Sequence, residues 1–290
     1  MRKNPVVKPY LKWAGGKRQL LPELTKYINE KSLKNFTYYE PFVGGGALLF
    51  ELQPTKAIIS DKNQELINCY EVVRDSLDDL IQELRKHQEN NSADYFYQIR
   101  DLDRSPKKYK NLSKVKRAAR IIYLNKTCYN GLFRVNSQRQ FNVPFGRYKK
   151  PNILDEAVLK AVSKYLNESE VDILNVDFEE AVKDTKKDDF IYFDPPYDPV
   201  SDTASFTGYD VNGFNKDEQK RLKQVFDELT ERGCLVILSN SETPFIRDLY
   251  KDYKIKTVRA ARSINSKALK RGKVDEILVL NFSVETKIEE

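Results

Sequence analysis

Seven short runs of strand-forming residues, most of them separated by stretches of helical periodicity, constrain this chain more than any other feature. They fall at residues 37–42, 57–60, 171–176, 190–194, 235–240, 254–260 and 276–282. Ahead of the first run, Leu20, Leu24 and Ile28 share one helical face, with Pro22 tolerated in the first turn. Leu222, Val225, Phe226 and Leu229 form another such face, which ends at Gly233, a residue suited to the left-handed position past a helix. Strands alternating with helices predict an α/β fold built on a mostly parallel sheet, whose ligands bind beyond the carboxyl ends of the strands. The alternation breaks after the second strand. From about residue 66 to 150 the periodicity is helical, with Ser76 and Ser113 as expected caps. Residues 130–148 then become short extended pieces punctuated by Gly131, Pro144 and Gly146. The expected organisation is one α/β unit made of residues 1–65 and 151–290, carrying an inserted, mainly helical unit at 66–150.

Charge distinguishes the insertion from the rest. The chain carries a net +7, yet residues 104–150 hold fourteen basic residues and no acidic one, so the remainder is net negative. The basic residues are interleaved with Tyr123, Tyr129, Phe133, Phe141, Phe145 and Tyr148, and with the amides of Asn125, Asn130, Asn136, Gln138, Gln140 and Asn142. Cations hold phosphates, aromatic rings stack on bases and amides read base edges, so this segment predicts nucleic-acid binding. A second acid-free basic run spans residues 259–273. Other chemistries are disfavoured: the three cysteines are far apart, and one histidine, His87, is too few for hydrolytic triads or histidine-rich metal sites. His87 is expected at the surface, and no metal is expected. Apolar runs such as 235–238 fall far short of the roughly 20 residues of a membrane helix, and the first residues lack a secretory apolar stretch. A cytoplasmic protein without membrane contact is the expectation.

Three strand ends carry chemistry. Gly44, Gly45 and Gly46 follow the first strand and can bring backbone close to a ligand, although the spacing is neither GxGxxG nor that of a phosphate-binding loop. Asp61 closes the second strand, placed either to cap the next helix or to accept the hydroxyls of a ribose. With the glycines it suggests an adenosine-containing ligand without a bound pyrophosphate. The third end, Asp194-Pro195-Pro196-Tyr197, follows an apolar strand. There the Asp194 carboxylate and the Pro195 carbonyl can accept both hydrogens of an exocyclic amino group, Tyr197 can stack on its ring, and the prolines preorganise the backbone.

In order along the chain, Leu11-Lys-Trp-Ala-Gly-Gly-Lys17, Glu40-Pro-Phe-Val-Gly-Gly-Gly46, Asn130-Gly-Leu-Phe-Arg134, Phe141-Asn-Val-Pro-Phe-Gly-Arg-Tyr-Lys149 and Asp194-Pro-Pro-Tyr197 resemble the motifs of the Dam-type adenine-N6 DNA methyltransferases, the alpha class of amino methyltransferases. The resemblance implies a seven-stranded, Rossmann-like methyltransferase sheet, S-adenosylmethionine as donor, a target-recognition domain at 66–150 and GATC as the site. It implies donor-binding roles for Trp13, Gly16, Lys17, Phe42, Gly44, Gly46, Asp61, Asp177, Phe178 and Asp194. The catalytic set is Asp194, Pro195, Pro196 and Tyr197. DNA contacts are implied for Lys12, Tyr129, Asn130, Leu132, Arg134, Pro144, Arg147 and Tyr148, with Tyr129 inserting where the duplex opens. The chain departs from the pattern at Lys126-Thr-Cys128, where the family carries an aromatic before Tyr129. The expected partner is double-stranded DNA and the expected state a monomer; the sequence is equally compatible with a paired restriction endonuclease, with a solitary enzyme of replication and repair, and with a phage enzyme. Methylation of cytosine N4 or of RNA adenine would use the same four catalytic residues, and a silent DNA-binding regulator is the further alternative.

Overall fold

In the computed structural model, which describes residues 3–13, 20–28, 36–199, 214–261 and 273–283, one sheet organises the chain. Its strands are β1 (Tyr38–Glu40), β2 (Lys56–Ser60), β3 (Glu170–Leu174), β4 (Phe190–Phe193), β5 (Leu235–Ser241), β6 (Lys254–Ala261) and β7 (Lys273–Leu280). The order is β3-β2-β1-β4-β5-β7-β6. All pairs from β3 to β5 are parallel, while β7 runs antiparallel to both β5 and β6. The α/β fold with a mostly parallel seven-stranded sheet is therefore as the strand pattern and the resemblance implied.

Successive side chains of a strand leave opposite faces of a sheet, and here each face has its own core. Tyr38, Tyr192, Ile237 and Leu278 project into the larger one, formed with α2 (Ala47–Leu52), α3 (Gln64–Asp75) and α8 (Glu156–Glu168). Tyr39, Ile191, Phe193 and Leu238 enter the other, against α9 (Phe178–Ala181), α10 (Lys216–Glu231) and α11 (Pro244–Leu249). Burial on both faces is what makes the central strands read as continuous apolar runs. On α10, Leu222, Val225, Phe226 and Leu229 are all buried, and Gly233 has φ 81°. Near the start of the chain, Leu20, Leu24 and Ile28 are buried around α1 (Leu21–Lys26).

The helical segment consists of α3, α4 (Leu77–Glu89), α5 (Ala93–Arg100), α6 (Pro106–Lys110) and α7 (Lys114–Thr127). Buried residues of α7 join the larger core, so this segment and the sheet share one apolar interior. Ser113 caps α7 through Lys116, as expected, but Ser76 at the head of α4 makes no side-chain cap bond. His87 is not at the surface. It continues the Leu80, Ile81, Leu84 stripe of α4, is 7% exposed, stacks on Tyr123 and lies 2.8 Å from the Tyr95 hydroxyl. Burial lowers its pKa to about 4. Nor is the whole basic run solvent-facing. Arg120 is buried against Asp103 at 2.7 Å and the carbonyls of Ile99 and Arg100, while the half-buried Arg104 and Arg117 pair with Asp103 and Glu65. Lys107, Lys108, Lys110, Arg134, Arg139, Arg147, Lys149 and Lys150 are exposed.

Candidate active site

Because β1, β2, β4 and β5 are parallel neighbours, their carboxyl ends open along one edge, with the chain crossing over between β1 and β4. The glycine loop leaves β1 there. Gly46 has φ 69°, and a Cβ on it would lie 2.6 Å from the Tyr70 hydroxyl and 2.9 Å from the Phe50 ring, so both backbone and packing demand glycine. Asp61 accepts hydrogen bonds from the Gly44 amide at 3.2 Å and the Asn63 amide at 2.8 Å. The cap of α3 is Asn63, which leaves Asp61 holding the glycine loop instead. Burial raises the Asp61 pKa to about 6. Beneath the loop, Glu40 is 3% exposed, accepts from the Tyr38 hydroxyl at 3.0 Å, and is pushed by burial up to about 8. Trp13 lies across the loop, 3.1 Å from where a Gly44 Cβ would stand.

Asp194 follows β4, and Ser239 on β5 donates to its Oδ1 at 2.9 Å. The Ser239 hydroxyl also meets that of Tyr192 at 3.0 Å. Pro195 is buried and Pro196 exposed. The Gln219 amide on α10 donates to the Pro196 carbonyl at 3.0 Å and accepts from Asn240 at 3.1 Å. Asn240 Oδ1 accepts the Asp198 amide at 3.0 Å, and the Thr243 hydroxyl donates to the Asp198 carboxylate at 2.6 Å. Tyr197 donates to Glu276 on β7 at 3.0 Å. Gln219, Ser239 and Asn240 are fully buried, so the groups that hold the Asp-Pro-Pro-Tyr turn are themselves fixed in the interior. A preorganised turn presenting a carboxylate and carbonyls beside a glycine cradle suits transfer to a planar amino group.

The sequence profile of the D12 class N6 adenine-specific DNA methyltransferases matches residues 13–264. This chain belongs to that family. It is 47% identical over 283 residues to the type II methyltransferase M1.LlaDCHI of Lactococcus lactis subsp. cremoris, covering 97% of this chain and 98% of that protein. The type II methyltransferase M.MjaIII of Methanocaldococcus jannaschii is 46% identical over 294 residues, with 95% and 99% covered. The DNA adenine methylase of Escherichia coli K12 is 36% identical over 289 residues, with 97% and 96% covered. The chain is thus an adenine-specific DNA methyltransferase.

In this D12 methyltransferase the residues named from the sequence gather into two places. Trp13, Phe42, Gly44, Gly46, Asp61 and Asp194 lie at the strand ends just described; Gly16 and Lys17 fall outside the described residues. Asp177 caps α9 and is gripped by Arg221 through two bonds of 3.0 and 2.9 Å, with Lys62 at 2.7 Å. Burial opposes ionisation of Asp177, but Arg221, Lys62 and the Glu179 amide outweigh it and hold its carboxyl below the usual range. Phe178 stacks on the Phe42 ring and also carries the Arg221 guanidinium over its own ring. The second group surrounds residues 129–148, a loop closed by bridges between Cys128 and Phe145 and between Val135 and Phe141. Tyr129 and Tyr148 are exposed, the Tyr129 amide bonds the Pro144 carbonyl at 2.9 Å, and Lys12 lies over the Tyr148 ring. Asn130 and Arg147 both have positive φ, Leu132 is half-buried, and Arg134 is held by the Asn142 carbonyl at 2.8 and 3.2 Å. Sequence reasoning missed Gln219, Ser239, Asn240, Glu276, Lys62 and Arg221. The one local signal was the polar Ser-Asn-Ser ending of an otherwise apolar strand. Among the described residues no acidic, cysteine or histidine cluster could hold a metal, and no helix is long and apolar enough to cross a membrane.

Proposed function

We propose that this methyltransferase acts on the adenine of GATC in duplex DNA, with S-adenosylmethionine as donor bound across the glycine loop. The observation that carries the reading is the anchored Asp-Pro-Pro-Tyr turn at the end of β4, one strand from the glycine loop and two from Asp61. The residues fit that donor: Asp61 offers a carboxylate for ribose hydroxyls, the glycines bring backbone close, and Phe42, backed by the buried Phe178, and Asp177 offer an aromatic and an acidic group for an adenine. When bound, the donor supplies an electrophilic methyl carbon on a sulfonium sulfur. Asp194 and the Pro195 carbonyl accept the two hydrogens of the adenine amino group, drawing its lone pair out of the ring and aiming it at that carbon. As the nitrogen–carbon bond forms and the carbon–sulfur bond breaks, Asp194 stabilises the positive charge on nitrogen until its proton leaves to water. The base is flipped from the stack to reach the site and stacks on Tyr197, whose hydroxyl is anchored by Glu276.

Residues 1–65 and 151–290 serve as the catalytic domain and 66–150 as the target-recognition domain. Arg134 contacts a guanine, worth about 1–3 kcal/mol of discrimination, while Leu132 and Pro144 meet the thymine methyl and Lys12, Asn130, Arg147 and Tyr148 hold the duplex around Tyr129. The type II names of two relatives favour pairing with a restriction endonuclease, and a monomer suffices if the two strands are methylated in turn. The test is transfer of labelled methyl from S-adenosylmethionine to duplexes carrying GATC, GACC, or GATC already methylated on both adenines. Label in the first duplex alone is expected; equal label in all three, or none, overturns the site assignment.

A further inference from the structure

Asn125, near the end of α7, is fully buried and uses its side-chain amide as a joint between two distant segments. Its Oδ1 accepts the Lys12 amide at 2.8 Å, and its Nδ2 donates to the Lys12 carbonyl at 2.7 Å and to the Gly131 carbonyl at 3.1 Å. The side chain thus pairs with Lys12 as a neighbouring strand would, and reaches the recognition loop with its remaining hydrogen. Gly131 permits the approach: a Cβ there would stand 2.9 Å from the Lys12 Cβ. The next residue, Trp13, lies against Gly44 and Gly45 on one side and stacks on Phe133 of the recognition loop on the other, with centroids 4.7 Å apart.

We propose that Asn125 is a positioning residue that couples the donor site to the target-reading loop, so that filling either site tightens the other. The inference rests on the functional reading above, which places the donor on the glycine loop and the duplex at residues 129–148. Its physical basis is that residues 12–13 cannot shift relative to Gly131 without breaking hydrogen bonds to the fully buried Asn125 amide, whose polar atoms would then be left unpaired. Ordering the segment for one ligand therefore meets part of the ordering cost for the other, and the linkage must be reciprocal.

The test is calorimetric titration of S-adenosylhomocysteine into the protein alone and into its complex with a duplex carrying one GATC, for wild type, Asn125→Ala and Phe133→Leu. In the wild type the duplex is expected to tighten the small molecule by about fivefold or more, with the same factor in the reverse titration. In both variants that factor is expected to fall toward one, while each binary Kd moves less than the factor does. A wild-type factor of one, or variants that retain the wild-type factor, would overturn the proposal. Should Asn125→Ala lose its helical circular dichroism, Phe133→Leu decides alone, since it cuts the ring contact without stranding a buried amide. A wild type that binds neither ligand refutes the functional reading instead.

Discussion

Donor affinity is expected to weaken in mild acid through one carboxyl. Burial raises the Asp61 pKa to about 6, while its two backbone partners, Gly44 and Asn63, pull the other way. Accepting both hydroxyls of a ribose calls for the ionised form, so protonation competes with binding. With that pKa, about one molecule in eleven carries the ionised group at pH 5 and about ten in eleven at pH 7, which makes the apparent Kd for S-adenosylmethionine about tenfold weaker at pH 5, or about 1.4 kcal/mol. The neighbours do not confuse the window: Glu40, at about 8, stays mostly protonated, Asp177 is held low, and His87, at about 4, stays mostly neutral. The chain has a single tryptophan, Trp13, packed on the glycine loop, so its fluorescence should follow donor binding directly. Asp61→Asn should bind more weakly at pH 7 and show no slope between pH 5 and 7. A wild-type Kd that is constant over this range, or a slope that survives in Asp61→Asn, would refute the assignment.

The buried Glu40 has a folded pKa raised to about 8, so its contribution to stability is fully present below the unfolded pKa of about 4.3 and is lost as pH rises through 8. Urea unfolding of the wild type should lose about 2 kcal/mol between pH 6 and 8 relative to Glu40→Gln, which can still accept from Tyr38. Ser239→Ala removes the hydroxyl that orients Asp194 and should lower kcat by about tenfold or more with duplex affinity unchanged, read in single-turnover methyl transfer. Gly46→Ala forces a side chain into left-handed backbone and against Tyr70, and should destabilise the fold by at least about 1–2 kcal/mol in the same urea assay.

The turn at Asp194 was legible because its chemistry is local: an apolar strand, a carboxylate and two prolines define both where the chain leaves the sheet and what it presents. The central strands were legible for a similar reason, since burial on both faces writes a continuous apolar run into β4 and into the first four residues of β5. His87 was misread because nothing nearby shows that α7 covers that side of α4; Tyr123, its stacking partner, lies in another helix. Among basic residues, Arg104 and Arg134 look alike in sequence, yet one is tied to Asp103 and the Phe141 carbonyl and the other stands exposed on the Asn142 carbonyl.

By itself, then, the sequence determined the α/β class and the points at which the glycine loop, Asp61 and the Asp-Pro-Pro-Tyr turn leave the sheet. Strand order, the pairing of Gln219 with Pro196 and the joint that Asn125 makes between Lys12 and Gly131 were decided only in the tertiary structure. The physical reason is separation along the chain. A buried amide is satisfied by whatever packing brings to it, and Asn125 meets Lys12 across 113 positions, where no local periodicity reaches.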